Sequence, residues 1–448
     1  MFGEAKCDGD CDLGQLCINN TCSACESDAQ CQSMVNSQNV CKNGLCTHKS
    51  LFHNKLTGLD FAGFILLFIG CALSSGGGIG GGGIYIPILI LIDKFDPKEA
   101  IPLSNCLVAG CSLANLIQNF PRRHPNANKH LIDYAVVLLI EPLTLGGTTF
   151  GIYLHTMLPS YVILILLVLT LFATAATTLK KGVDLYKKER VTKEYNLLVN
   201  DTNDGSLVME PPNPFMDADW FKIFSITGIL ILSTLFSVFK GGNQEYSIVG
   251  VKLCSPGYWV LAFAIWPVVM VAWALTSRFL YSQWLNNQTM GISIEGDIRY
   301  TRKTIILLGL LSIMAGVLAS LLGIGGGMIK GPVLLSMGLS PDIVAATSSF
   351  MILFTSASSA FQYILLNKLA LDYGLVYYII GFVACFVGTQ TLIWVVKKYK
   401  RRSYIIFLIS SIIILSTILL VSTEVIEIER YPKQKFVSVC VPGDAGGD

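Results

Sequence analysis

Few side chains in this sequence could do chemistry away from water, and those few fall in a pattern. Gly-Ile-Gly-Gly-Gly occurs twice, at 78–82 and 323–327, each time leading into an apolar run. Gly80, Gly81 and Gly82, and Gly325, Gly326 and Gly327 in the second copy, leave their backbone amides unshielded by any side chain. A row of amides at the start of a helix, at the positive end of its dipole, suits an anion. Neutral polar groups follow each run: Ser104, Asn105, Asn115 and Gln118 after the first, and Thr347, Ser348, Ser349 and Gln362 after the second. Such groups coordinate an oxyanion without a buried charge, although Ser and Thr in apolar helices also serve as packing contacts. Two charges stand in apolar surroundings, where they are costly. Lys330 follows the second glycine run and could meet a substrate anion or reach the lipid headgroups. Glu141, beside Pro142, is a candidate carrier of a coupling proton. Asp133 and Asp372 flank apolar segments as helix caps.

Other chemistries lack their residues. The glycine runs have no Lys-Ser/Thr to complete a phosphate-binding loop. The five histidines are unclustered, and no nucleophile–base arrangement is visible. The chain does not read as an enzyme, and nothing outside the N-terminal cysteines points to a cofactor, a metal or a nucleic acid.

The elements that must hold these residues are membrane helices. Of 448 residues, 52% are hydrophobic and 14% charged, against roughly 25% charged in a soluble domain. Stretches such as 161–179 and 403–421 run for about 19 residues without a charge, enough to cross a bilayer as a helix. The pattern predicts an all-α polytopic membrane protein with about twelve segments. The run after each glycine turn is short, so each turn is expected to reach mid-membrane and start a half-helix there. Backbone of that kind is tolerated at such depth only inside protein or beside a wet cavity.

The two copies match well beyond the glycines. Pro87 and Pro332 follow at the same distance; Pro97 meets Pro341, Ser104 meets Ser348, Asn105 meets Ser349, and Gln118 meets Gln362. The paired residues make the strongest binding candidates. Each copy spans five segments, with two more between them, so the second begins an odd number of crossings after the first. That predicts an inverted repeat, as in secondary transporters that bind substrate at the repeat interface.

Eight of the fourteen cysteines fall within the first 46 residues: Cys7, Cys11, Cys17, Cys22, Cys25, Cys31, Cys41 and Cys46. So dense a set in a short polar segment predicts a disulfide module in an oxidising compartment; zinc is the rival reading, with one close pair to support it. Lys and Arg concentrate in the loops near 122–129, 180–193, 278–303 and 397–402, which marks those as cytoplasmic. Both considerations put the N-terminus outside, and twelve crossings return the C-terminus there. Cys254 and Cys440 then share the oxidising side and could close a fifth bridge. The expected organisation is a Cys-rich module (1–57), a first repeat (58–180), a cytoplasmic loop (181–219), two linking segments and a loop (220–303), an inverted second repeat (304–422) and a tail (423–448).

The stretches "GGGGIYIPILILIDKFDPKEAIPLSN", "NFPRRHP", "LIDY", "LLIEPLTLGG" and "GIGGGMIKGPVLLSMGLSPDIVAATSS" resemble the TauE/SafE family of membrane anion exporters. The resemblance covers roughly 59–421. It implies an inverted-repeat transporter of sulfite, sulfonates or related small anions in the bilayer, with both glycine turns and the polar residues after them forming the substrate site. The Cys-rich module departs from the simplest members and could bind an extracellular partner. The alternative is a receptor or scaffold that keeps a transporter fold.

Overall fold

The computed structural model describes residues 16–18, 21–34, 38–42, 44–52, 56–75, 80–123, 130–198, 219–241, 250–251, 255–290 and 298–399, with scattered positions in 407–421. Cys7, Cys11, Cys254 and Cys440 lie outside them.

The N-terminal module is built from two short antiparallel hairpins. β1 (Leu16–Ile18) pairs with β2 (Thr21–Ser23), which sets Cys17 opposite Cys22. β3 (Asn39–Lys42) pairs with β4 (Leu45–His48), and α1 (Asp28–Met34) lies between the hairpins. Strands this short cannot enclose a core; among the described residues of the module, the buried apolar cluster is Cys25, Cys31 and Cys46 themselves. Disulfides Cys25–Cys41 and Cys31–Cys46, with Cα–Cα distances of 5.8 and 5.5 Å, therefore supply what packing cannot. The sulfurs of Cys25, Cys31 and Cys46 cluster within 4.8 Å, but all three are bridged, leaving no thiolate for a metal.

The rest of the described chain is helical. α2 (Gly58–Ser74) leads to the first glycine turn and α3 (Gly82–Leu91) leaves it. α4 (Pro97–Asn119), α5 (Tyr134–Met157) and α6 (Ser160–Leu198) follow. α7 (Trp220–Lys240), α8 (Pro256–Phe263) and α9 (Ile265–Thr289) connect to α10 (Arg302–Leu322). The second glycine turn, α11 (Gly327–Ser336), α12 (Pro341–Leu365) and α13 (Leu371–Tyr399) complete the order. Among the described residues, eight spans are long and apolar enough to cross a membrane, with α8 and α9 forming one of them. α2, α3 and α11 are shorter. The segment 403–421 lies mostly outside the described residues. Exposed Phe172, Phe221, Phe279, Leu310 and Leu375 give the bundle an apolar exterior, the reverse of a soluble protein and suited to lipid.

Local chemistry explains the boundaries. Asp96 caps α4 by accepting from Lys98 N at 2.9 Å, with Pro97 at the first turn where its missing N–H costs nothing. Asp133 caps α5 through Ala135 N and Val136 N, as expected. α6 corrects the expected loop: it runs 39 residues to Leu198, about eleven turns, the last part in Lys/Glu-rich sequence whose straight side chains favour helix.

Glycines set the helix packing. α4 lies against α13 and α5 against α10; α5 also meets α12, and α13 meets α2. A Cβ on Gly110 or Gly381 would strike the opposing backbone at the α4–α13 crossing, and one on Gly147 or Gly316 would do so at α5–α10. Such crossings bring backbones together where lipid supplies no hydrophobic drive. Cys111 of α4 and Cys385 of α13 are joined by a disulfide, Cα–Cα 5.1 Å, a bridge that sequence reading missed among the scattered cysteines.

Candidate functional site

The two glycine turns have nearly the same backbone. Gly80 and Gly81 have φ of 86° and 67°; Gly325 and Gly326 have 68° and 69°. These left-handed values favour glycine over residues with a side chain. Gly81 and Gly326 each stand as the N-cap of a ten-residue helix, α3 and α11, about 15 Å long, or half the hydrocarbon thickness. The first amides of each have no intrahelical partner.

The turns meet each other. A Cβ on Gly80 would lie 3.2 Å from Ile324 O, and one on Gly82 would collide with Gly323 O and the Ile324 backbone. In this conformation they touch backbone to backbone, and a ligand between them requires their separation. The carbonyls entering each turn are each bonded from a long helix that follows a half-helix. Asn115 Nδ2 of α4 donates to Ser75 O at 3.3 Å, and Tyr363 OH of α12 donates to Ser320 O at 2.8 Å. Ser104 Oγ donates to Gly323 O at 2.9 Å, so α4 of the first half holds the turn of the second.

The other candidates divide. Asn105 Nδ2 donates to Ile101 O at 3.1 Å, while its Oδ1 is buried without a partner. Gln118 Nε2 bonds Phe386 O at 3.2 Å, and its Oε1 likewise has none. Ser348 Oγ is a buried unpaired hydroxyl, and Ser349 is buried beside it. Gln362 Nε2 is taken by Ser358 Oγ at 3.2 Å. Thr347 Oγ1 accepts from Asp133 N at 3.0 Å and so helps to order the start of α5. Thr389 Oγ1, which sequence reading passed over, donates to Asn115 Oδ1 at 2.8 Å. Ser320 was also missed, though its place three residues before Gly323 repeats that of Ser75 before Gly78.

Lys330 and Glu141, read separately from sequence, are one unit. Lys330 Nζ donates to Glu141 Oε2 at 2.7 Å and to Thr355 Oγ1 at 3.1 Å; Thr355 Oγ1 is 2.6 Å from Glu141 Oε1. The side chains of Lys330 and Glu141 are 2% and 0% exposed, so Lys330 does not reach out to lipid headgroups. Lys330 Cε passes 3.6 Å from where a Cβ on Gly326 would stand. The ammonium stem therefore runs against the second glycine turn, and three helices, α5, α11 and α12, meet at the charge pair.

At the opposite corner, the stem of the Cys-rich module docks on the helices. Lys49 pairs with Asp60 at 2.5 Å, and His48 Nε2 meets Asp93 O at 3.0 Å. Ser50 Oγ and Leu51 N both donate to Asp372 Oδ2, at 2.9 and 2.6 Å. Asp372, in the first turn of α13 rather than at its cap as expected, thus receives the stem. His48 stacks on Phe95 with centroids 3.8 Å apart and meets the edge of Tyr373.

A sequence model described as "Sulfite exporter TauE/SafE" matches residues 62–242 and 218–415. Sulfite exporter TauE/SafE family protein 5 of Arabidopsis thaliana is 31% identical over 385 residues, covering 82% of this chain and 84% of its own. Family protein 1 of the same plant is 30% identical, covering 80% and 82%. Family protein 3 is 28% identical, covering 85% and 83%. No solved structure matches. The apolar helices and these matches make the protein a multi-pass membrane transporter, not an enzyme: the chain belongs to the sulfite exporter TauE/SafE family.

Proposed function

We propose that the protein is a secondary transporter, working as an exporter, of small anions such as sulfite or organosulfonates, with substrate held at mid-membrane where the two glycine turns separate. The observation that carries this is the pair of left-handed turns, each opening a ten-residue helix and each meeting the other. Unpaired amides at two opposed helix starts offer an anion donors from both sides. Ser348, Asn105 and Gln118 are the polar side chains with capacity to spare, and Lys330 supplies the positive charge.

The helix pairing supports an inverted repeat. If α2–α5 correspond to α10–α13, the α4–α13 contact has its counterpart in α12–α5, and α5–α10 in α13–α2. A twofold axis in the membrane plane produces such exchange, and binding at the repeat interface goes with it. The charge bias of the loops and the disulfides of the module support termini on the outer side.

Flux of labelled sulfite, methanesulfonate and sulfate through proteoliposomes tests the reading. Saturable flux of at least one is expected. No flux of any small anion, together with a stable extracellular partner recovered through the Cys-rich module, would instead make the protein a scaffold.

A further inference from the structure

We infer that the Glu141–Lys330–Thr355 triad couples one proton to one monovalent anion, moved in the same direction. This rests on the transport reading above. The triad joins α5, α11 and α12 beside the second glycine turn, and both charges are fully withdrawn from water. A buried ion pair is a poor stabilising device, since an apolar pair of similar volume often does as well. In an apolar bundle it is costlier still, and such charges mark ion or proton pathways. Stability alone does not account for it.

Charge conservation in a low-dielectric site dictates what the triad can exchange. With Lys330 paired to Glu141 the site is neutral. An anion can replace the carboxylate at the ammonium only if Glu141 loses its charge, which it does by taking up a proton. The site then holds an ammonium, a monoanion and a carboxylic acid, and is again neutral. Releasing both restores the pair. The proton comes from and returns to water, no bond of the anion changes, and no net charge crosses. Thr355 suits the exchange because its hydroxyl lies within hydrogen-bond reach of both charged groups and can accept from one while donating to the other. A dianion would leave the site with an uncompensated negative charge, so sulfonates and hydrogen sulfite fit and sulfate does not.

No other charge competes. The elements packed against α5 are α7, α9, α10 and α12. Those facing α11 are α6, α10 and α12. Among the described residues the one charged side chain within ion-pair reach of Glu141 is Lys330, and the reverse holds for Lys330.

Proteoliposomes loaded with a pH-sensitive dye provide the test, with methanesulfonate as the monoanion and sulfate as the dianion. The full chain is expected to move one proton per methanesulfonate, with a rate indifferent to a potassium diffusion potential, and to favour methanesulfonate by roughly tenfold or more. Glu141→Gln is expected to remove the proton movement and make the remaining flux potential-dependent. Should that variant fail to reach the membrane, the stoichiometry of the unaltered protein decides, joined by Glu141→Leu/Lys330→Met, which should fold yet transport neither ion. Electrogenic methanesulfonate flux in the unaltered protein, or proton coupling that survives in either variant, would overturn the inference while leaving the transport reading intact. Absence of flux for any anion would overturn both.

Discussion

A single methyl group distinguishes the glycines that must be glycine from those that need only be small. Gly82 lies where a Cβ would strike the carbonyl of Gly323, which is backbone and cannot turn aside. At Gly326 the nearest atoms are side chains, Ala319 Cβ at 3.3 Å and Lys330 Cε at 3.6 Å, and the penalty is mainly that of a left-handed φ of 69°. Gly82→Ala should therefore cost about 1–3 kcal/mol by overpacking and force the turns apart. Gly326→Ala should cost about 1 kcal/mol. Thermal unfolding in detergent and flux measured side by side check the order, and equal losses would mean that the turns do not bear on each other. The glycine pattern was legible from sequence because it is repeated. The Lys330–Glu141 pair was not, because 189 residues separate its members and no repeat links them; each was legible only as a charge in an expensive place.

At the scale of elements, the helices and their ends follow from apolar length, capping Asp residues and prolines, and most could be read in advance. Two things could not. α6 overruns its apolar stretch because helix propensity does not stop at the membrane surface, and the crossing partners depend on which glycine meets which backbone. Gly381→Val should push α13 from α4 and leave Cys111 and Cys385 as free thiols, since a Cβ there collides with the Leu107 backbone. Gly228→Val on α7 should change nothing, as no atom lies within 4 Å of its Cβ position. Mass-tagging of thiols after denaturation distinguishes the two. Tagging that is the same in both would show that α4 and α13 are held by other contacts.

At the scale of the whole molecule, the stem at 48–51 ties the disulfide module to α2, the loop after α3, and α13. Asp93 lies at its centre, 2% exposed, with Tyr377 OH on Oδ2 at 2.9 Å and no donor for Oδ1. Facing it are His48 and Lys49 of the stem, Asp60 of α2, and Tyr373 and Tyr377 of α13. Burial, with the neighbouring Asp60 charge adding to it and Tyr377 and Lys49 opposing, pushes the Asp93 carboxyl up to about 7. The folded protein thus holds a proton that the unfolded chain has released. The resulting stability is present in full below about pH 4 and is lost as pH rises through about 7, amounting to no more than about 4 kcal/mol. Asp93→Asn should flatten that dependence, read as hydrogen exchange across 48–52 at about pH 5 and about pH 8. An unchanged slope would assign the proton to another group.

The Cys111–Cys385 bridge also places a constraint in time. Its partners are 274 residues apart, so the bond cannot close until α13 has been made and has found α4 across the intervening helices. For most of synthesis the early helices wait with an open thiol in their midst, while the Cys71 and Cys106 thiols, both buried in the finished fold, are already present. The chain must therefore pair Cys111 with a latecomer while nearer candidates are already present. The fold, more than order of appearance, selects the partner, and the finished bridge records that both halves arrived.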